Sequence, residues 1–176
     1  MNIFRFVSYE FSDGEAVFRY GDESHQYVEK VQFAISEHRY NQAALERALF
    51  LAFLLIGTSY YKAFPTRSVA FDQGKIDSWQ AEFLNHVYQE GLSQYAYENQ
   101  LAREDLVTFV ATVEKQEEAV DYSGRGALSL QSGGKDSLLV ATGLKMRGVD
   151  YSPWYVTSGD RYPLLLDELG APVLVA

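Results

Sequence analysis

Apolar and polar positions alternate over the opening stretch of the chain. Ile3-Phe4-Arg5-Phe6-Val7-Ser8-Tyr9-Glu10-Phe11 and Ala16-Val17-Phe18-Arg19-Tyr20 flank Ser12-Asp13-Gly14-Glu15, which predicts a β-hairpin. A third strand is expected over Gln26 to Ala34. From Asn41 the spacing becomes helical: Leu45, Leu49, Ala52, Phe53 and Ile56 fall on one face, and Gly57 is the predicted stop. Asp77 is placed to cap a second helix, with Gln80 three residues later and Trp79, Phe83, Leu84 and Val87 as its apolar face up to Gly91. A further helical segment covers about Tyr95 to Ala102. The two periods together describe an α+β module.

Glu114-Lys115-Gln116-Glu117-Glu118 breaks this pattern as a solvated helix end or linker, and Tyr122-Ser123-Gly124-Arg125-Gly126 opens a new one. A boundary near residue 120 gives expected domains 1–120 and 121–176. The second alternates strand and helix: strand Ala127 to Gln131, a glycine turn, helix Ser137 to Arg147 closed by Gly148, strand Tyr151 to Val156, helix Arg161 to Leu169 closed by Gly170, and strand Val173 to Val175. This βαβαβ order predicts a parallel α/β sheet. A doubly wound sheet takes about five strands with helices on both faces, so three make roughly half of one. The expectation is a sheet truncated after Ala176, completed by a missing C-terminal segment or a second polypeptide.

The 176 residues, 47 % hydrophobic, suffice for one large domain or one domain plus an incomplete second. The longest apolar run, Ala48 to Ile56, is nine residues, short of the roughly 20 that cross a bilayer. No membrane span and a cytoplasmic location are therefore expected. The sequence has no cysteine, which removes disulfides, zinc thiolates and enzyme-bound persulfides. Its formal charge of −9, without a local cluster of Lys and Arg, argues against a nucleic-acid partner.

Chemistry concentrates between the first strand and helix of the second pattern. In Ser132-Gly133-Gly134-Lys135-Asp136-Ser137 the glycines let backbone N–H groups approach an anion, and the following helix adds unpaired N–H groups and the positive end of its dipole. The adjacent glycines and the Lys-Asp pair fit neither the P-loop nor the dinucleotide spacing. A tight strand-to-helix turn without a ligand remains the structural alternative.

The order Ser-Gly-Gly-x-Asp-Ser resembles the pyrophosphate-binding loop of the PP-loop ATP pyrophosphatases, whose domain is an adenine nucleotide alpha hydrolase-like parallel sheet. Several further segments resemble the MurL family of UDP-N-acetyl-α-D-muramoyl-L-alanyl-L-glutamate epimerases. They are 13–20, Gly57-Thr58-Ser59-Tyr60-Tyr61-Lys62, Tyr88 to Leu92 with Tyr97-Glu98-Asn99, and Trp154 to Asp160.

The resemblance implies that Ser132, Gly133, Gly134 and Ser137 hold the phosphates of ATP, with Asp136 helping to place Mg²⁺. Lys135, at the loop's variable position, faces either phosphate or solvent. It also implies ATP-dependent inversion of the terminal L-glutamate of the UDP-muramoyl dipeptide, releasing AMP and pyrophosphate, in bacterial cell-wall synthesis. Adenylation of the carboxylate removes the charge that otherwise opposes loss of the α-proton; reprotonation on the opposite face and hydrolysis complete the inversion. Amide formation on another carboxylate, as in other PP-loop enzymes, and a non-catalytic nucleotide-binding module are the competing readings. Members of the family extend well beyond this length, so the chain is expected to be an N-terminal portion of such an enzyme, with its activity in isolation an open question.

Ser59, Tyr60, Tyr61 and Lys62 are candidate substrate contacts; otherwise they form a helix C-cap with two packing tyrosines. Ser158, Gly159 and Asp160 follow the second strand at the sheet's carboxyl edge, as a ribose or adenine contact or as the cap of the next helix. His25, His38 and His86 show no ligand spacing and are read as surface or packing residues. No general base is assigned.

Overall fold

The computed structural model describes residues 3–33, 40–114, 125–157, 163–170 and 172–175. The chain divides into two compact units, Met1–Lys30 with Tyr40–Val120 and Val31–Arg39 with Asp121–Ala176.

In the first, β1 (Phe4–Ser12) and β2 (Glu15–Gly21) form the expected hairpin. Its two turn residues, Asp13 and Gly14, have φ of 51° and 79°. Positive φ at both positions is the turn geometry whose twist matches paired strands. β3 (Gln26–Gln32) lies beside β2; Ala34 falls outside the described residues. A three-residue strand, β4 (Val69–Phe71), runs parallel to β1, completing the order β3-β2-β1-β4. Alternation along β1 sends Phe4 and Phe6 inward, where both are fully buried.

Helix α1 (Gln42–Tyr61) begins at Asn41, whose side chain accepts from the Ala44 amide at 3.1 Å. It does not stop at Gly57. A Cβ there would lie 2.6 Å from the Phe6 ring and 2.9 Å from the Tyr88 hydroxyl, so this glycine serves close helix-to-sheet packing, and the helix continues for four residues. The extension has a second consequence. α1 becomes the one helix among the described residues long and apolar enough to cross a membrane, although Leu49, Phe53, Leu54, Gly57 and Tyr61 are buried in the core. A core helix satisfies the same length and composition requirement.

Tyrosines fill this core without leaving orphaned hydroxyls. Tyr20 donates to the Phe53 carbonyl at 2.8 Å, and Tyr88 to that of Leu54 at 2.7 Å. Tyr61 donates to the Thr66 carbonyl at 2.9 Å and accepts from the Val107 amide at 2.8 Å. A buried phenol with its hydroxyl satisfied contributes apolar area without the cost of an unmade hydrogen bond.

Helix α2 (Ser78–Asn85) starts with the expected capping box: the Asp77 side chain accepts from Gln80 N at 2.8 Å and the Gln80 side chain from Asp77 N at 3.0 Å. Its buried stripe is Ala81 and Leu84, continued by Tyr88, whereas Trp79 points outward with 60 % of its surface exposed. A π-helical turn, His86–Glu90, follows; α3 (Ser93–Glu98) is shorter than expected and ends before Ala102. Beyond it Leu106, Val107 and Phe109 are buried without belonging to a strand. Asn85 holds this segment from both sides, donating to the Phe109 carbonyl at 3.0 Å and accepting from its amide at 2.7 Å.

The second unit contains β5 (Ala127–Gln131), α4 (Lys135–Met146), β6 (Tyr151–Tyr155) and β7 (Leu174–Val175), the strands parallel in the order β5-β6-β7. The expected helix over 161–169 is instead a 3₁₀ helix, Leu164–Leu169, with Arg161 outside the described residues. Pro163 and the left-handed Gly170 bracket only six residues, and the tighter i→i+3 bonds close the segment, as from Leu166 N to the Pro163 carbonyl at 2.9 Å. Ala141, Leu166 and Leu169 form its small core, with Leu138, Tyr151, Tyr155 and Val173 packed around them.

Candidate functional site

β5 delivers the chain into the loop 132–137, and α4 carries it away. Gly133 adopts φ 74°, where a side chain is strained, and a Cβ there would also meet the Pro163 ring at 3.1 Å. Gly134 is the N-cap of α4. The Lys135, Asp136 and Ser137 amides therefore occupy the first helical turn, where N–H groups have no intrahelical acceptor. The loop folds on its own hydroxyls: Ser132 N donates to Ser137 Oγ at 3.3 Å, Gly134 N to Ser132 Oγ at 3.4 Å, and Ser137 Oγ to the Gly134 carbonyl at 3.0 Å. The two serine oxygens are 3.4 Å apart. The structure thus brings Ser132, Gly133, Gly134 and Ser137 together at the positive end of a helix dipole.

Lys135 and Asp136 sit beside it with exposed side chains 3.6 Å apart. Gln131, which ends β5, was read from the sequence only as a strand residue, yet it is buried. Its Nε2 donates to Ser129 Oγ at 2.8 Å, and Oε1 has no partner among the described residues. No group of three or more metal-ligating side chains occurs among the described residues.

Ser158, Gly159 and Asp160 lie outside the described residues. Ser59, Tyr60, Tyr61 and Lys62 all belong to the first unit, at the C-terminal end of α1. Tyr61 is fully buried and engaged with the backbone as described, while Ser59 and Lys62 are exposed. The Tyr60 ring stacks on Tyr20 at 5.0 Å and its hydroxyl donates to Glu29. Burial, with the Glu29 carboxylate beside it, pushes the Tyr60 phenol up to about 12. His25 and His86 are exposed, His25 lying 3.2 Å from Asp22; His38 is outside the described residues. The first unit also has an open cleft among α1, β4 and α2, which the spacing of apolar residues along the chain does not reveal.

A parallel strand, a glycine turn and a helix whose first turn lies beside two serine hydroxyls belong to a small parallel α/β sheet. The likeness to known proteins spans the first unit as well: residues 1–176 match the MurL N-terminal domain family, and the chain belongs to that family. Among curated proteins it is similar to UDP-N-acetyl-alpha-D-muramoyl-L-alanyl-L-glutamate epimerases. The Xanthomonas oryzae pv. oryzae protein is 32 % identical over 135 residues, 76 % of this chain and 30 % of that protein. The Salinispora tropica protein is 31 % identical over 192 residues, 100 % of this chain and 41 % of that one. The Micromonospora protein is 30 % identical over 167 residues, 89 % and 37 % respectively. The chain thus spans well under half the length of these relatives. No solved structure matches.

Proposed function

We propose that this chain is the N-terminal part of an ATP- and Mg²⁺-dependent isomerase that inverts the terminal L-glutamate of UDP-N-acetylmuramoyl-L-alanyl-L-glutamate, in cytoplasmic synthesis of peptidoglycan precursors. The names of the relatives support the substrate and the inversion. The observation that carries the use of ATP is the convergence of the Ser132 and Ser137 hydroxyls with the first amides of α4 around Gly133 and Gly134. The first amides of α4 can donate to phosphate oxygen, as can the serine hydroxyls once a phosphate replaces their contacts within the loop, and the backbone at Gly133 excludes a side chain that would fill the space. Asp136 is one exposed carboxylate, which fits Mg²⁺, an ion commonly held by one or two carboxylates together with phosphate oxygens.

ATP supplies an adenylyl group that turns the glutamate carboxylate into a mixed anhydride as pyrophosphate leaves, so that the α-proton becomes acidic. This chain's share is to bind and orient: Ser132, Gly133, Gly134 and Ser137 hold the phosphates, Asp136 positions the metal, and Lys135 lies close enough to add positive charge. The part of the relatives beyond this match supplies, in this reading, the further strands of the sheet and the base that moves the proton.

The test is an assay with ATP, Mg²⁺ and the UDP-muramoyl-L-Ala-L-Glu substrate. It follows AMP release and glutamate configuration for the chain alone, for a version joined to the C-terminal remainder of a relative, and for Asp136→Ala. Substrate-dependent AMP and D-glutamate from the joined protein, lost in Asp136→Ala, is the expected result; no AMP from any form overturns the proposal.

A further inference from the structure

Trp79 is the second residue of α2, and its helical spacing with Phe83, Leu84 and Val87 predicts an inward-facing side chain. The structure turns it out: 60 % of its surface is exposed, and its ring lies parallel to that of Phe83, 2° between planes and 5.7 Å between centroids. Exposing so much of a large aromatic forfeits burial, and an indole held flat by a second ring is a preorganised platform. The platform borders a cleft of 1410 Å³ within the first unit. That exceeds the roughly 300–1,000 Å³ of most small-ligand pockets, as an elongated ligand requires.

The charges around the cleft are unequally committed. Asp72 pairs with Arg5, Glu46 accepts from Gln42 at 3.1 Å, and Asp77 caps α2. Two cations, Arg47 and Lys75, also line the cleft; Arg47 is engaged, whereas Lys75 has no hydrogen bond or ion pair among the described residues. Glu114 is the carboxylate of the cleft left uncommitted among them.

We propose that this cleft binds the uridine diphosphate end of the substrate, with uracil stacked on Trp79 and the diphosphate met by Lys75. The inference rests on the substrate reading above and places its nucleotide on the first unit, apart from the loop assigned to ATP. Stacking on an aromatic accepts any base, so preference for uridine over adenine must come from the cleft's polar lining, and that preference is measurable.

The experiment is calorimetric titration of the chain with UDP, uridine and ATP, for the native sequence, Trp79→Leu and Lys75→Met, with circular dichroism checking that each variant is folded. Trp79 and Trp154 are the two tryptophans, so Trp154→Phe also leaves Trp79 as the sole tryptophan for a parallel quenching titration with excitation at the red edge, where tyrosine does not absorb. UDP should bind saturably and tighter than uridine. Trp79→Leu should weaken UDP by roughly 5- to 150-fold, the value of one stacked base. Lys75→Met should bring UDP close to uridine. Absence of UDP binding, UDP affinity unchanged in Trp79→Leu, or ATP competing equally would each overturn the proposal. The epimerase assay separates the two readings: turnover with KM unaffected by Trp79→Leu sinks the cleft alone, while UDP binding without turnover in the joined protein leaves the cleft and sinks the epimerase.

Discussion

The two units bury their strands in opposite ways. In the first, aromatic residues dominate the inward face of β1 and β2, with Phe4, Phe6, Phe18 and Tyr20 buried beside Ala16, and Phe6 has the rings of Phe4, Tyr20, Phe53, Phe71, Tyr88 and Phe109 within 6.5 Å between centroids. In the second, the covered face of β5 is polar, with Ser129 and Gln131 buried, while Leu128 and Leu130 face outward, each 60 % exposed. Register extends that outward face across the sheet, placing Leu130 beside Trp154 and Trp154 beside Leu174. Parallel strands normally have both faces covered. One unit is therefore closed on itself, and the other presents an apolar sheet face; they will answer differently to the same kind of substitution.

The sharpest contrast is at Phe6. Phe6→Ala removes the ring at the centre of the cluster and should cost about 3–5 kcal/mol, read as a lowered urea midpoint. A loss near 1 kcal/mol would break the claim that this core is tightly packed. Gly57→Ala comes next: helix propensity favours alanine by about 1 kcal/mol, but the 2.6 Å approach to Phe6 should reverse the sign and give a net loss of about 1–3 kcal/mol. Stabilisation by this change would show that Gly57 marks no close contact. Tyr88→Phe deletes one buried hydrogen bond to the Leu54 carbonyl and should cost about 0.5–1.5 kcal/mol.

Alkali tests the same core by charge. The Tyr60 phenol, ordinarily at 10.0, is pushed up to about 12, and burial moves Tyr20 and Tyr88 the same way. Above pH 10 the unfolded chain gives up protons that the folded chain keeps. The stability tied to Tyr60 is thus complete below about pH 10 and is lost as pH rises through about 12, while Tyr20 and Tyr88, raised further by burial, go on withdrawing stability above that. Urea midpoints measured from neutral to alkaline pH should fall in that window, and less steeply in Tyr60→Phe. The smallest effect belongs to the second unit: Leu128→Gln on the open face should change stability by no more than about 0.5 kcal/mol. A large loss there would mean that something already covers the face.

What the sequence disclosed was what neighbours along the chain decide. Asp13-Gly14, the Asp77–Gln80 capping box and the strand-glycine-helix passage at 131–135 each depend on a few consecutive residues, and all three are present. Gly57 was misread because its reason lies in Phe6 and Tyr88, distant in sequence and invisible to a local rule that treats glycine as a stop. β4 went unseen because three residues have no periodicity of their own and pair in parallel with a strand far upstream. At the candidate site the loop's residue types were legible, whereas the buried amide of Gln131 was not, since strand alternation gives a direction but not a cover.

Asn85 bonds both backbone groups of Phe109, and in doing so it stands in for the neighbouring strand that this stretch lacks. A single amide side chain satisfies a donor and an acceptor that a sheet would otherwise have to supply, so the chain can bury Val107 and Phe109 without adding an edge strand. To a protease the segment 106–109 should behave as interior rather than as loop, protected for as long as that one side chain keeps its grip.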